Sequence, residues 1–378
     1  MFEKSFNMPL STLTIPSHVS KLDFTHSSYD LPIQPGDIPD NITDINLNGV
    51  YNQPFQPGSL PPSTRILILG VYNHPLTPGT LPAALEELWL GSDMDSGEQI
   101  ISGALPSSIK SIGGCYRHPL HPGDLPPNLE SLNMDFFEHP ILPGVLPASL
   151  TSLEFHGYSH AIEPGMLPPN LKTLITKDEF TLQVGALPKT LTSLTLGMYF
   201  NQEIMCDVLP TGLLSLDLGG YYNHQLKPNI LPNTLTSLTL SIFHNQPIIN
   251  GSLPQSLRSF SCLNNQQLQE INAPSCFEHC YNLESVTFTN GSRTKEICDL
   301  PINDLFFHGR LKSFAFLLYI FHLIYLPKTI EQYANSNIPN LKLNFHEMEG
   351  VIRKLDTHHY LIKDLIDNLL LKNHMSFR

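Results

Sequence analysis

Apolar residues recur along most of this chain at three fixed offsets. In Leu231-Pro232-Asn233-Thr234-Leu235-Thr236-Ser237-Leu238-Thr239-Leu240, with Leu235 taken as position i, they fall at i, i+3 and i+5. The same triplet recurs as Leu129/Leu132/Met134, Leu150/Leu153/Phe155, Leu191/Leu194/Leu196 and Leu213/Leu216/Leu218. The last two positions alternate with period two, which is the signature of a strand with one buried face. A strand of three or four residues cannot bury that face alone. The pattern therefore predicts that each strand stacks on its counterpart in the next unit, and that the stack grows into a parallel ladder.

A Leu-Pro or Ile-Pro pair precedes each triplet, beginning at Ile15, Ile38, Leu60, Leu81, Leu105, Leu125, Leu146, Leu167, Leu187, Leu209, Leu231 and Leu253. Neighbouring pairs lie 20 to 24 residues apart, within the period of a leucine-rich repeat. Between triplets the chain reads as turn. Pro35-Gly36, Pro57-Gly58, Pro78-Gly79, Pro122-Gly123, Pro143-Gly144 and Pro164-Gly165 suit the central positions of a type II turn, Pro fixing φ and Gly accepting a positive one. The following Leu-Pro holds its first residue extended and blocks a helix. The predicted fold is a leucine-rich-repeat-like solenoid: a parallel β-sheet ladder with a convex side of extended turns and little α-helix.

The turn segments carry a second signature. Tyr51-Asn52-Gln53-Pro54-Phe55, Tyr72-Asn73-His74-Pro75-Leu76, Phe200-Asn201-Gln202-Glu203-Ile204 and Phe243-His244-Asn245-Gln246-Pro247-Ile248 each lead into Leu-Pro-x-x-Leu-x-x-Leu. They resemble the FNIP repeat, a variety of leucine-rich repeat found mainly in social amoebae and in the giant DNA viruses of amoebae. The resemblance spans roughly residues 15–262. Some members carry an N-terminal F-box, a helical module that docks to a ubiquitin ligase scaffold. With a first unit at Ile15 there is no room for one here, so a ligase-adaptor role is not expected. Cys276 to Phe288 resembles the BspA variety of leucine-rich repeat and is expected to continue the ladder through Leu283, Val286 and Phe288. Degenerate units are expected near Leu311/Phe314/Phe316 and Ile330/Tyr333.

From Glu347 the character changes. Ile352, Leu355, Ile362, Leu365, Ile366, Leu369 and Leu370 recur at helical spacing with charged residues between them. This predicts an amphipathic helix, either a cap over the last coil or a partner- or membrane-surface helix. The expected organisation is a lead-in over 1–14, FNIP-type repeats over 15–270, degenerate repeats over 271–346 and the C-terminal helix over 347–378.

Composition narrows the function classes. The net charge of −13, with no dense Lys/Arg cluster, disfavours nucleic acid and anionic lipid as partners. The longest apolar run, Phe314 to Leu326, is interrupted by His322 and is too short to span a bilayer. With no signal-peptide core at the N-terminus, an intracellular, cytoplasmic protein is expected. Six cysteines in 378 residues do not form a disulfide scaffold. Phosphate-loop, nucleophile-elbow and HExxH motifs are absent from the sequence. An enzyme is not expected, nor any cofactor.

Two groups invite a metal reading. His74, His118, His139, His160 and His224 share one repeat phase, and imidazoles on consecutive coils are zinc-ligand types. Gln53 and Gln202 hold the same phase, which favours a hydrogen-bonding role in a stacked turn. Cys276, His279 and Cys280 lack a second pair at matching spacing, and Cys298 stands alone, so buried thiols are expected rather than a metal site.

In a strand with i+3 and i+5 buried, i+2 and i+4 point outward. The i+2 column reads Asp44, Ile66, Glu87, Ser111, Ser131, Ser152, Thr173, Ser193, Ser215, Ser237 and Ser259; the i+4 column reads Asn46, Ile68, Trp89, Gly113, Asn133, Glu154, Ile175, Thr195, Asp217, Thr239 and Ser261. Most of this face is small and polar. Ile66, Ile68 and Trp89, beside Glu87, stand out. Trp89 is the sole tryptophan of the chain, and aromatic anchors dominate protein–protein hot spots. These four residues are the candidate docking site, the alternative being an irregular early coil that folds Trp89 into a local core. The expected function is a non-catalytic scaffold that binds a protein or peptide on its strand face. The alternative is a structural or virion-associated component that self-assembles.

Overall fold

The computed structural model describes residues 2–91, 100–262 and 279–289, together with the strands Ser313–Leu318, Asn340–Phe345, Met348–Lys354 and Tyr360–Leu361. The chain forms two compact units, Met1–Leu191 and Thr192–Arg378.

The first unit contains β1 (Lys21–Asp23), β2 (Asp44–Leu47), β3 (Ile66–Leu69), β4 (Glu87–Trp89), β5 (Ser111–Gly113), β6 (Ser131–Met134), β7 (Ser152–Phe155) and β8 (Thr173–Thr176). Each pairs in parallel with the next in chain order. Equivalent residues face one another, as Leu132 does Leu153 and Leu153 does Leu174. Position i+3 is buried in every strand while i+2 and i+4 are mostly half-buried, so the period-two reading holds.

Just before each strand, the Pro carbonyl of the Leu-Pro pair accepts the i N–H, as in Leu85 N to Pro82 O (3.1 Å) and Leu129 N to Pro126 O (3.2 Å). The Pro-Gly pairs form the expected turns. Ser59 N–H donates to Gln56 O at 3.0 Å across Pro57-Gly58, and Gly58 has φ +82°.

The second unit repeats this plan. Its strands β9 (Ser193–Thr195), β10 (Ser215–Asp217), β11 (Ser237–Thr239), β12 (Ser259–Cys262), β13 (Ser285–Thr289), β14 (Ser313–Leu318) and β15 (Asn340–Phe345) pair in parallel in chain order. β13 and β14 contain the expected Val286/Phe288 and Phe314/Phe316. β15 is a strand that the leucine triplets did not indicate; Ile330 and Tyr333 lie outside the described residues.

The C-terminal expectation needs correction. Where a helix was expected from 347 onward, β16 (Met348–Lys354) runs antiparallel to β15, and β17 (Tyr360–Leu361) runs antiparallel to β16. The unpaired edge of β15 offers a row of backbone donors and acceptors. Val351 and Ile352 suit a strand as well as a helix, so the neighbouring edge decides between two local readings. The rest of that expected helix, residues 347, 355–359 and 362–378, lies outside the described residues. Among the described residues the helical structure is one 3-10 turn, Leu10–Thr12.

The leucine columns are half of the core. A second column comes from the turn segments, where Tyr29, Tyr51, Tyr72, Tyr116, Phe137, Tyr158, Phe200 and Tyr222 are all at most 2% exposed. Successive rings lie nearly parallel, as Tyr29 with Tyr51 (6.0 Å, 5°), Phe137 with Tyr158 (6.4 Å, 5°) and Phe200 with Tyr222 (6.2 Å, 12°). In the lead-in, Phe2 stacks on Phe6 and on Phe24, each at 4.4 Å, extending this column at the N-terminal end.

Candidate partner-binding face

The sheet register brings the four expected residues together. Ile66 lies opposite Glu87, and Ile68 opposite Trp89. Trp89 is 37% exposed while Ile66, Ile68 and Glu87 are half-buried, so the indole stands on the outer face and not in a local core. Its Nε1–H donates to Glu87 Oε1 at 2.5 Å. On the next strand Trp89 faces Gly113. A Cβ placed on Gly113 would stand 2.5 Å from Cζ3 and 2.7 Å from Cε3 of the indole. The benzo ring therefore lies across the glycine, and its flat seat requires the absence of a side chain there.

The charges near this face are mostly answered within the chain. Lys21 Nζ sits 3.0 Å from Asp44. Further along, His156 lies between Asp135 (2.5 Å) and Glu154 (2.9 Å), with Lys177 3.4 Å from the same Glu154 carboxylate. Glu87 forms no ion pair among the described residues.

In the second unit the strand face is the expected row of serines and threonines around Asp217. Burial raises the Asp217 carboxyl above the usual carboxylate range, against the opposing effect of the Gly219 N–H that it accepts (2.9 Å). Just after the strands stands a row the sequence reading missed. Tyr199, Tyr221 and Phe243 are all about half exposed and stack on one another at 5.5 and 4.6 Å. The available signal was the doublets Tyr199-Phe200 and Tyr221-Tyr222 and the pair Phe243-His244, whose first members face out and second members face in.

Four of the five histidines of this phase are hydrogen-bonded to the preceding coil, while the buried Nε2 of His118 has no partner among the described residues. The Nε2 atoms of His74, His139, His160 and His224 meet the backbone carbonyls of Asn52 (3.1 Å), Arg117 (2.6 Å), Glu138 (2.8 Å) and Asn201 (2.8 Å), each on the preceding coil. Gln53 Nε2 reaches back to Asp30 at 3.2 Å in the same way. His74, His118, His139, His160 and His224 each lie edge-on to the aromatic ring two residues earlier.

Two more polar columns serve the stack. Asn73, Asn223 and Asn245 donate their N–H groups to the side-chain oxygens of Asn52, Asn201 and Asn223. Ser63, Ser108, Ser149 and Ser256 hydroxyls donate to the i-position carbonyls of the preceding coil at 2.6 to 2.7 Å. Among the described residues no group of three His, Cys, Asp or Glu is arranged to hold a metal ion. Cys280 is buried, as expected, and burial pushes its thiol up to about 11; Cys276 and Cys298 lie outside the described residues. No helix among the described residues is long and apolar enough to cross a membrane.

The family model described as FNIP Repeat matches residues 29–71, 72–113, 116–158, 158–199, 200–243 and 222–262. No curated protein matches the chain in sequence. Among solved structures, the chain is similar to CroV588 of a giant virus, described as a novel circular leucine-rich-repeat protein. The two are 27% identical with a TM-score of 0.69, over 82% of this chain and 45% of that one. This chain thus spans less than half the length of CroV588. LegL7, a leucine-rich repeat-containing protein from Legionella pneumophila, is 14% identical with a TM-score of 0.31, over 79% of this chain and 98% of that one.

Proposed function

The chain belongs to the FNIP repeat family, and from that premise we propose that it is a non-catalytic protein-interaction scaffold whose partner docks on the strand face of the first unit, centred on Trp89. One observation carries the reading. On a face made mostly of small polar residues, an exposed indole is held in place by Glu87 and Gly113 beside two half-buried isoleucines. An aromatic side chain already fixed in its bound position loses little conformational entropy on docking. A non-catalytic role accords with how the repeat spends its polar groups. The histidine, asparagine and serine columns bond one coil to the next. A cytoplasmic setting, the host's if the protein is viral, suits the free thiols of Cys206 and Cys280.

The test is capture of binding proteins from amoebal lysate by the wild-type chain and by Trp89→Ala. The variant should lose capture and keep its melting temperature within a few degrees, because an outer-face truncation removes little core. Undiminished capture by Trp89→Ala would discard the site. Self-assembly, the competing use of such a body, is read separately by light scattering on the purified protein.

A further inference from the structure

The benzo ring of the Trp89 indole fills the space that a side chain at Gly113 would take, and its N–H is taken by Glu87. The indole is nevertheless 37% exposed, and beside it stands a half-buried carboxylate that has no cation of its own among the described residues. The face columns of β2 to β5 hold Asp44 and Glu87 and no base, and Asp44 is already met by Lys21. An aromatic face beside an unanswered carboxylate attracts a cation by both the ring quadrupole and its charge.

We propose that this patch is a slot for a basic side chain, arginine above all, carried on an extended segment of the partner. This rests on the strand-face reading and specifies the chemistry of what docks there. A guanidinium is planar and weakly hydrated, so it stacks on an indole while its fork reaches a neighbouring carboxylate. Ile66 and Ile68 then cover the aliphatic stem. The chain's net charge of −13 favours approach of a basic segment over an acidic one.

Because Trp89 is the single tryptophan, its emission reports this site alone. The full chain is titrated with capped tetra-arginine, with its neutral isostere tetra-citrulline and with a neutral proline–leucine peptide. Tetra-arginine should shift Trp89 emission saturably, more weakly at high salt, and tetra-citrulline should not. Glu87→Gln keeps an acceptor for the indole N–H and removes only the charge; it should weaken tetra-arginine binding about threefold to fivefold. Gly113→Ala, checked for an unchanged circular dichroism spectrum, should lift the ring and abolish the response. Equal binding of tetra-citrulline, or no effect of Glu87→Gln, overturns the cation slot. If the proline–leucine peptide saturates the signal where tetra-arginine does not, the cation slot falls and the strand-face site stands. If none of the peptides moves the emission and Trp89→Ala captures normally, both fall.

Discussion

Thr64 holds a position that is Ile42 and Leu85 in the flanking coils, and its side chain is fully buried with no partner for Oγ1 among the described residues. A desolvated hydroxyl without a hydrogen bond is destabilising, so Thr64→Val, nearly isosteric, should gain about 1 kcal/mol. Urea unfolding would show this as a higher midpoint at unchanged slope; a lower midpoint would mean that the hydroxyl has a partner. His244 is a second misfit. It takes the place of an aromatic residue in the buried column, parallel to Tyr222 (6.2 Å, 5°) and 1% exposed. Burial, the largest cause, lowers its pKa from the ordinary histidine value, with the Tyr222 carbonyl opposing. Below about pH 6.5 the unfolded chain therefore takes up a proton that the folded chain resists. The contribution to stability is complete above that pH and is lost as the pH falls. His244→Phe should flatten the decline in melting temperature between about pH 7.5 and 5.5; equal declines in variant and wild type would count against it.

At the scale of the element, the Pro-Gly turn sets the shape of each coil. Gly165 has φ +86°, and a Cβ added there would meet nothing within 4 Å. The penalty of Gly165→Ala is then backbone strain alone, about 1 to 2 kcal/mol, measurable as a lower denaturation midpoint; a neutral result would contradict the left-handed turn. Asp207 and Asn229 fill the same phase in the second unit at φ +65° and +68°, the residue types that tolerate it best after glycine. These turns were legible because a Pro-Gly pair states its own geometry, and the strands because alternation is local. The exposed columns follow from the register, and alternation alone is enough to place Ile66, Ile68, Glu87 and Trp89 together. The rest depends on the neighbouring coil. That Tyr51 and Tyr72 are core, that His139 bonds a carbonyl at Arg117, and that Trp89 lies on Gly113 are facts about residues some twenty positions apart. At Met348–Lys354 a helical spacing lost to an open sheet edge that only the assembled fold provides.

At the scale of the molecule, stability rests on contacts between coils, since no single coil encloses a core. The buried tyrosines make this measurable. Tyr29, Tyr51, Tyr72, Tyr116 and Tyr158 in the first unit and Tyr222 in the second are all at most 2% exposed. Burial raises the phenols of Tyr29, Tyr116 and Tyr222 to about 12 and also raises those of Tyr51 and Tyr158. An unfolded phenol ionises near pH 10. Each raised phenol thus contributes stability that is complete below that pH and is lost as the pH climbs toward the folded value, because the unfolded state releases its proton first. Several such groups within the first unit make its loss cooperative. Between about pH 10 and 12 the phenolate absorbance should therefore rise in a steep step that coincides with loss of the far-ultraviolet strand signal. A shallow titration of every tyrosine near pH 10, with the strand signal intact, would mean that the aromatic column is open to water and that the leucine columns alone hold the coils together.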